Sequence, residues 1–328
     1  VKRIYIEEDF AAWKEYAYHA QIHGAILAYL EIKKKNFYSI VSDVDGKRFV
    51  TARGWEDLSV VMKVYEQQGM QIDYDFVVQY LQDPEIARDF AVYYELYRKY
   101  NQIYSVPELL EGTYPENVLS IQNAPFDEKL SLIGLLLDAL GQEFVTYARS
   151  EAAQKELLTQ LGYLRMDLKE GRGDAKALLE RQCDSHKTLT LHKKKAGLLS
   201  REELRSAHDL ELMLDACVSL VAEKGSGDAR ADFGLVKQYF DEREEARQKQ
   251  IVDAGRHLSN AFDFLSRVFG EGQELVIFLS ELSAGYYSLK FVSECGNEEY
   301  YKYNRLLLLK DRSEELTQEV MELLALDD

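Results

Sequence analysis

Proline is scarce in this 328-residue chain: there are four, and none after Pro125. The two hundred residues beyond that point are therefore free to form long helices, broken only at GRGD (171–174), GSGD (225–228) and GEG (270–272). Cysteine is scarcer still, and Cys183, Cys217 and Cys295 are odd in number and far apart. That excludes a disulfide framework and a thiolate zinc site, and small buried or half-buried thiols are expected. No uninterrupted apolar run of ~18 residues occurs, so no membrane segment is expected. The acidic start, VKRIYIEEDFAAW, is not a secretory peptide, and a cytoplasmic protein is expected. The first residue is Val1, from which we expect the chain to be a piece of something longer.

Positive charge is also in deficit. A net charge of −17 argues against a nucleic-acid partner, because binding a phosphate backbone needs Lys and Arg to replace its counterions. The basic runs Lys33–Lys35 and Lys193–Lys195 fall at expected helix ends, where cations complement the dipole. Catalytic motifs are missing too: there is no G-x-S-x-G elbow, no G-x-G-x-x-G and no G-x-x-x-x-G-K-[ST] phosphate loop. His19 and His23 have the spacing of two metal ligands but no third, and no histidine has Glu three residues before it as a di-metal bundle requires. His186 and His192 offer no better metal site. Arg172-Gly173-Asp174 reads as a turn. The pairs Glu7 with Glu8 and Glu298 with Glu299 are adjacent and would face different sides of a helix.

What is present is helical periodicity. A helix is expected over 9–34, then a hairpin about Asp45-Gly46 within NFYSIVSDVDGKRFVT. A helix over 52–68 ends at Gly69, and another opens at Asp83-Pro84. Ser200 and Glu203 form a capping box, and 228–269 reads as one long helix. Within it Ile251, Ala254, Leu258, Ala261, Leu265 and Val268 make a bundle seam, interrupted by the charged DEREEARQKQ (241–250). Chain length and the turn-rich stretch give a small helical domain with a β-hairpin over 1–112, a linker over 113–125, and an all-helical bundle or coiled-coil-like domain over 126–328, open to serving as a protruding interaction arm. The fold class expected is mainly α.

One helix start is unusual. In FVTARGWEDLS (49–59) Thr51 is the N-cap, and Val50 with Trp55 forms a hydrophobic staple, yet Arg53 adds a cation to an end that the macrodipole already makes positive. An anion bound there would explain it. The plainer alternative is that Glu56 and Asp57 neutralise Arg53 on the surface.

A helix, a hairpin and then [TS]-x-R-x-W-x-x-[LV]-S opening the next helix resembles the small helical lid of MoxR-type AAA+ ATPases. Their usual proline before the arginine is replaced here by Ala52. The resemblance spans residues 1–110 and includes DGKRFVTARGWEDLSVVMKVYEQQG and VVQYLQDPEIARDFAVYYELYRKY. It implies that Arg53 is the sensor 2 residue, catalytic and nucleotide-binding at once, contacting the γ-phosphate of ATP with Mg held by an N-terminal AAA+ subdomain absent from this sequence. It further implies a homo-oligomeric ring and ATP-driven, chaperone-like maturation of protein complexes, with partners holding a von Willebrand A domain. By itself the chain is expected to be inactive. Tyr286, Tyr287, Tyr300, Tyr301 and Tyr303 would serve as an aromatic contact surface or as bundle core. The competing reading is a stand-alone helical interaction module with no nucleotide role.

Overall fold

The computed structural model describes residues 8–43, 46–114 and 120–308. The fold is mainly α with one antiparallel hairpin, as the sequence predicts. In chain order the helices are α1 (Phe10–His19), α2 (Gly24–Ile32), α3 (Ala52–Gln67), α4 (Tyr74–Val77), α5 (Pro84–Tyr104), α6 (Val106–Leu110), α7 (Phe126–Lys169), α8 (Ala175–Lys195), α9 (Arg201–Lys224), α10 (Ala229–Phe269), α11 (Gln273–Ala284) and α12 (Tyr286–Cys295). A further helix, α13, covers 298–308. Strands β1 (Ser39–Asp43) and β2 (Gly46–Val50) lie between α2 and α3, with Ile40 opposite Phe49.

The chain forms two compact units, residues 1–142 with 255–328, and residues 143–254. The turn-rich stretch 113–125, expected to be the boundary, falls inside the first unit. The division runs instead through α7 and α10, which carry the chain between units as unbroken helix, so turn-forming residues do not mark it. In the first unit, Trp55, Tyr29 and Phe90 are fully buried with ring centroids 5.2–5.7 Å apart, the edge-on or tilted arrangement that aromatic quadrupoles favour. In the second, Leu157, Leu164, Leu179, Leu214 and Val236 belong to one buried cluster that also takes in Cys183 and Cys217. Cys295 is exposed, contrary to the expectation of a buried thiol.

The expected first helix is two helices. Gln21 adopts φ 55°, and the N–H groups of Gln21 and Ile22 donate to the carbonyls of Tyr18 and Ala17 at 3.2 and 2.8 Å, which is a left-handed helix stop. Glycine normally fills that position, so the break leaves no mark in the sequence. The hairpin register sets Asp43 opposite Gly46, one residue away from a turn at Asp45-Gly46; Val44 and Asp45 lie outside the described residues. The stops at Gly69 and the caps at Asp83 and Ser200 follow the sequence, with the capping box of Ser200 and Glu203 closed on both sides.

One helix among the described residues, α7, is long and apolar enough to cross a membrane by length and composition, with mean hydropathy 1.2 over its best window. The expectation of no such segment rested on uninterrupted apolar runs. Half of that window is buried inside the protein, including Leu132, Ile133, Leu136 and Leu140, so the apolarity of SLIGLLLDAL has packing partners here.

Candidate functional site

The start of α3 is built as its sequence requires. Thr51 is extended and its Oγ1 accepts from Gly54 N at 3.2 Å, a cap that stabilises a helix by ~1 kcal/mol. Val50 and Trp55, the staple pair, are both fully buried, and the Trp55 indole donates to the Phe37 carbonyl at 3.2 Å. Gly54 is required by proximity: a Cβ there would stand 2.8 Å from the Tyr80 carbonyl oxygen. The residues on either side of Arg53 are therefore fixed by packing, while its own side chain is 73% exposed.

That guanidinium is held by its helix neighbours. Nε donates to Asp57 Oδ2 at 3.1 Å, Nη2 lies 3.0 Å from Asp57 Oδ1, and Nη1 lies 3.5 Å from Glu56 Oε2. Glu56 also accepts from the Tyr16 hydroxyl at 3.0 Å. This is the neutralised surface arrangement that the plainer reading expects. Exposed pairs at this spacing contribute only ~0.3–0.5 kcal/mol, so an incoming phosphate displaces them at little cost. Its forked donors suit phosphate oxygens, and the first-turn N–H groups of α3 add to the local positive potential. These residues fit the outer part of a nucleotide-phosphate contact. The G-x-x-x-x-G-K-[ST] loop that cradles nucleotide phosphates in that class of site does not occur in the sequence.

A second polar group lies behind α3 and joins elements distant in sequence. His23, the N-cap of α2, is buried; its Nδ1 accepts from Ala25 N at 3.1 Å, and its Nε2 lies 3.0 Å from Glu66 Oε2. The N–H of Ala25 fixes the tautomer, with the imidazole proton on Nε2 directed at Glu66. Glu66 Oε1 accepts in turn from the Tyr94 hydroxyl at 2.6 Å. Burial pushes the Glu66 carboxyl up, but the hydrogen bonds it accepts from His23 and Tyr94 outweigh it and hold the group below the usual carboxylate range. Asp138 shows the opposite result: burial raises it, against the pull of Lys63 and the hydrogen bond it accepts from Gln142. The Tyr97 hydroxyl is buried without a hydrogen-bond partner among the described residues, and a Cβ at Gly24 would stand 2.9 Å from it.

His19 and His23 do not make a metal site: His23 uses both ring nitrogens as described, and the side chain of His19 lies outside the described residues. No group of three or more His, Cys, Asp or Glu suited to a metal ion occurs among the described residues. Arg172 pairs with Asp167 at 2.9 Å and Asp174 caps α8 through Ala177 N at 2.8 Å, so that tripeptide is a helix connection. The tyrosines divide: Tyr300 and Tyr303 are buried, Tyr287 is half-buried, and Tyr286 and Tyr301 are exposed. The His23 group could not be read from the sequence, because its members come from four separate helices and share no spacing. No family model, curated protein or solved structure matches the chain.

Proposed function

We propose that the chain is the C-terminal part, lid and helical domain, of a MoxR-type AAA+ ATPase that remodels or matures protein complexes, with Arg53 as the sensor 2 arginine. The observation that supports this most is Arg53 itself: a well-donating, exposed guanidinium in the first turn of a capped helix, between two core-fixed residues, restrained only by weak neighbouring pairs. In this reading ATP and Mg are held mainly by an α/β subdomain supplied outside residues 1–328, and Arg53 reaches the phosphates when the lid closes. The ring and von Willebrand A partners belong to the same proposal. Amide hydrogen exchange on a full-length protein tests it: a non-hydrolysable ATP analogue with Mg should slow exchange over 51–57. Unchanged exchange there, with nucleotide demonstrably bound, contradicts it.

A stand-alone interaction module is the second reading, and the exposed Tyr286, Leu289 and Tyr301 favour it. Nucleotide-independent function of the chain, unaffected by Arg53→Ala, would decide for that reading.

A further inference from the structure

The end of α8 carries a surface that neither reading uses. Residues 185–201 contain no Asp or Glu but hold Lys187, Lys193, Lys194, Lys195 and Arg201. Lys187 is engaged by Asp215 at 3.1 Å and Glu211 at 3.7 Å, whereas Lys193, Lys194 and Lys195 are exposed and form no ion pair within 4 Å among the described residues, although Lys193 is near enough to Glu203 to favour its charged form. The helix dipole accounts for cations at a C-terminus, but not for the leucines beside them. Leu189, Leu191 and Leu198 are 54%, 49% and 71% exposed.

Leu198 is the most informative. Gly197 has φ 67°, its N–H donates to the Lys194 carbonyl at 3.1 Å, and Leu198 N–H donates to that of Lys193 at 3.0 Å. In this helix stop the residue after the glycine usually packs on an apolar side chain one turn back. That position here is Lys193, so Leu198 is presented to solvent.

Charge along the chain indicates what covers this surface. Residues 143–254 hold 19 Lys and Arg against 21 Asp and Glu, a net of −2. The rest of the chain holds the other 21 basic and 36 acidic residues, a net of −15 of the total −17. The basic, leucine-bearing end of α8 thus has its electrostatic complement in the other unit of a further copy. We propose that this end docks one copy of the chain onto the acidic unit of another. The contact joins different surfaces on the two copies, so it is heterologous and propagates into a ring or a filament. Copies carrying −17 repel one another generally, so association has to come from this local patch and has to be salt-sensitive. None of this depends on Arg53 or on nucleotide.

Sedimentation velocity on the full chain tests it. Assemblies are expected at ~50 mM salt that dissociate by ~500 mM, as screening shortens the reach of the lysines. Lys193→Glu with Lys194→Glu and Lys195→Glu should abolish them, and Leu198→Ser should weaken them; circular dichroism checks that each variant stays helical, and Leu198→Ser decides if the triple variant unfolds. A photo-crosslinker at position 198 should capture residues of 1–142 or 255–328 from an isotope-labelled second copy. A monomer under all conditions, association indifferent to these variants, or capture only of 143–254 overturns the proposal. Binding of the same end to phosphatidylserine vesicles without self-association also overturns it, in favour of a lipid partner.

Discussion

At the scale of single residues, close approach and left-handed backbone explain more than charge does. Gly54 sits where a Cβ would press on the Tyr80 carbonyl, an atom fixed by its own backbone. Gly54→Ala should therefore cost ~1–3 kcal/mol, as overpacking does, measured by urea denaturation. An unchanged midpoint would show that the 78–82 turn yields readily. Gln21 gives the reverse case. It holds φ 55° where glycine bears no steric penalty, while its carbonyl accepts from Lys63 Nζ through backbone that any residue keeps. Gln21→Gly should raise stability by ~0.5–1 kcal/mol in the same measurement. Arg53 was visible in the sequence as a charge out of place. Its pairing with Asp57 and Glu56 was visible too, because helix spacing alone brings those groups together.

At the scale of elements, caps and stops were legible wherever a side chain or a glycine makes them. Thr51, Asp83 and Ser200 each accept the first-turn N–H groups that their residue types predict. The break at Gln21 was not legible, since a glutamine took the glycine position, and neither was the His23, Glu66 and Tyr94 group that ties α2 to α3 and α5. That group makes a pH prediction. Glu66 is held low in the folded state, so its contribution is present above its unfolded value of ~4.3 and is lost as pH falls through the lower folded value. Glu66→Gln should flatten the loss of stability as pH falls below ~4.3, read as the slope of Tm against pH. A slope equal to that of the parent would mean His23 does not favour the charged carboxylate. Asp138 has the opposite sign: raised by burial, it opposes folding at neutral pH and is relieved by protonation. Asp138→Asn should raise Tm at pH 7 and have no such effect at low pH.

At the scale of the whole molecule, the helical class and the hairpin followed from periodicity and turn residues. The division into units did not, because continuous helices cross it and only contacts between distant residues define it. The proposed nucleotide role belongs to a guanidinium that is loosely held at a rigidly built helix start. ATP turnover by a full-length protein, compared between the parent and Arg53→Ala, is the measurement that bears on it most directly. If Arg53 is the sensor 2 arginine, turnover should fall ~10²-fold or more, as loss of one transition-state stabiliser gives, with Tm changed by little because the side chain is exposed. Turnover equal to that of the parent, with ATP still hydrolysed, would contradict that role and leave Arg53 as surface charge.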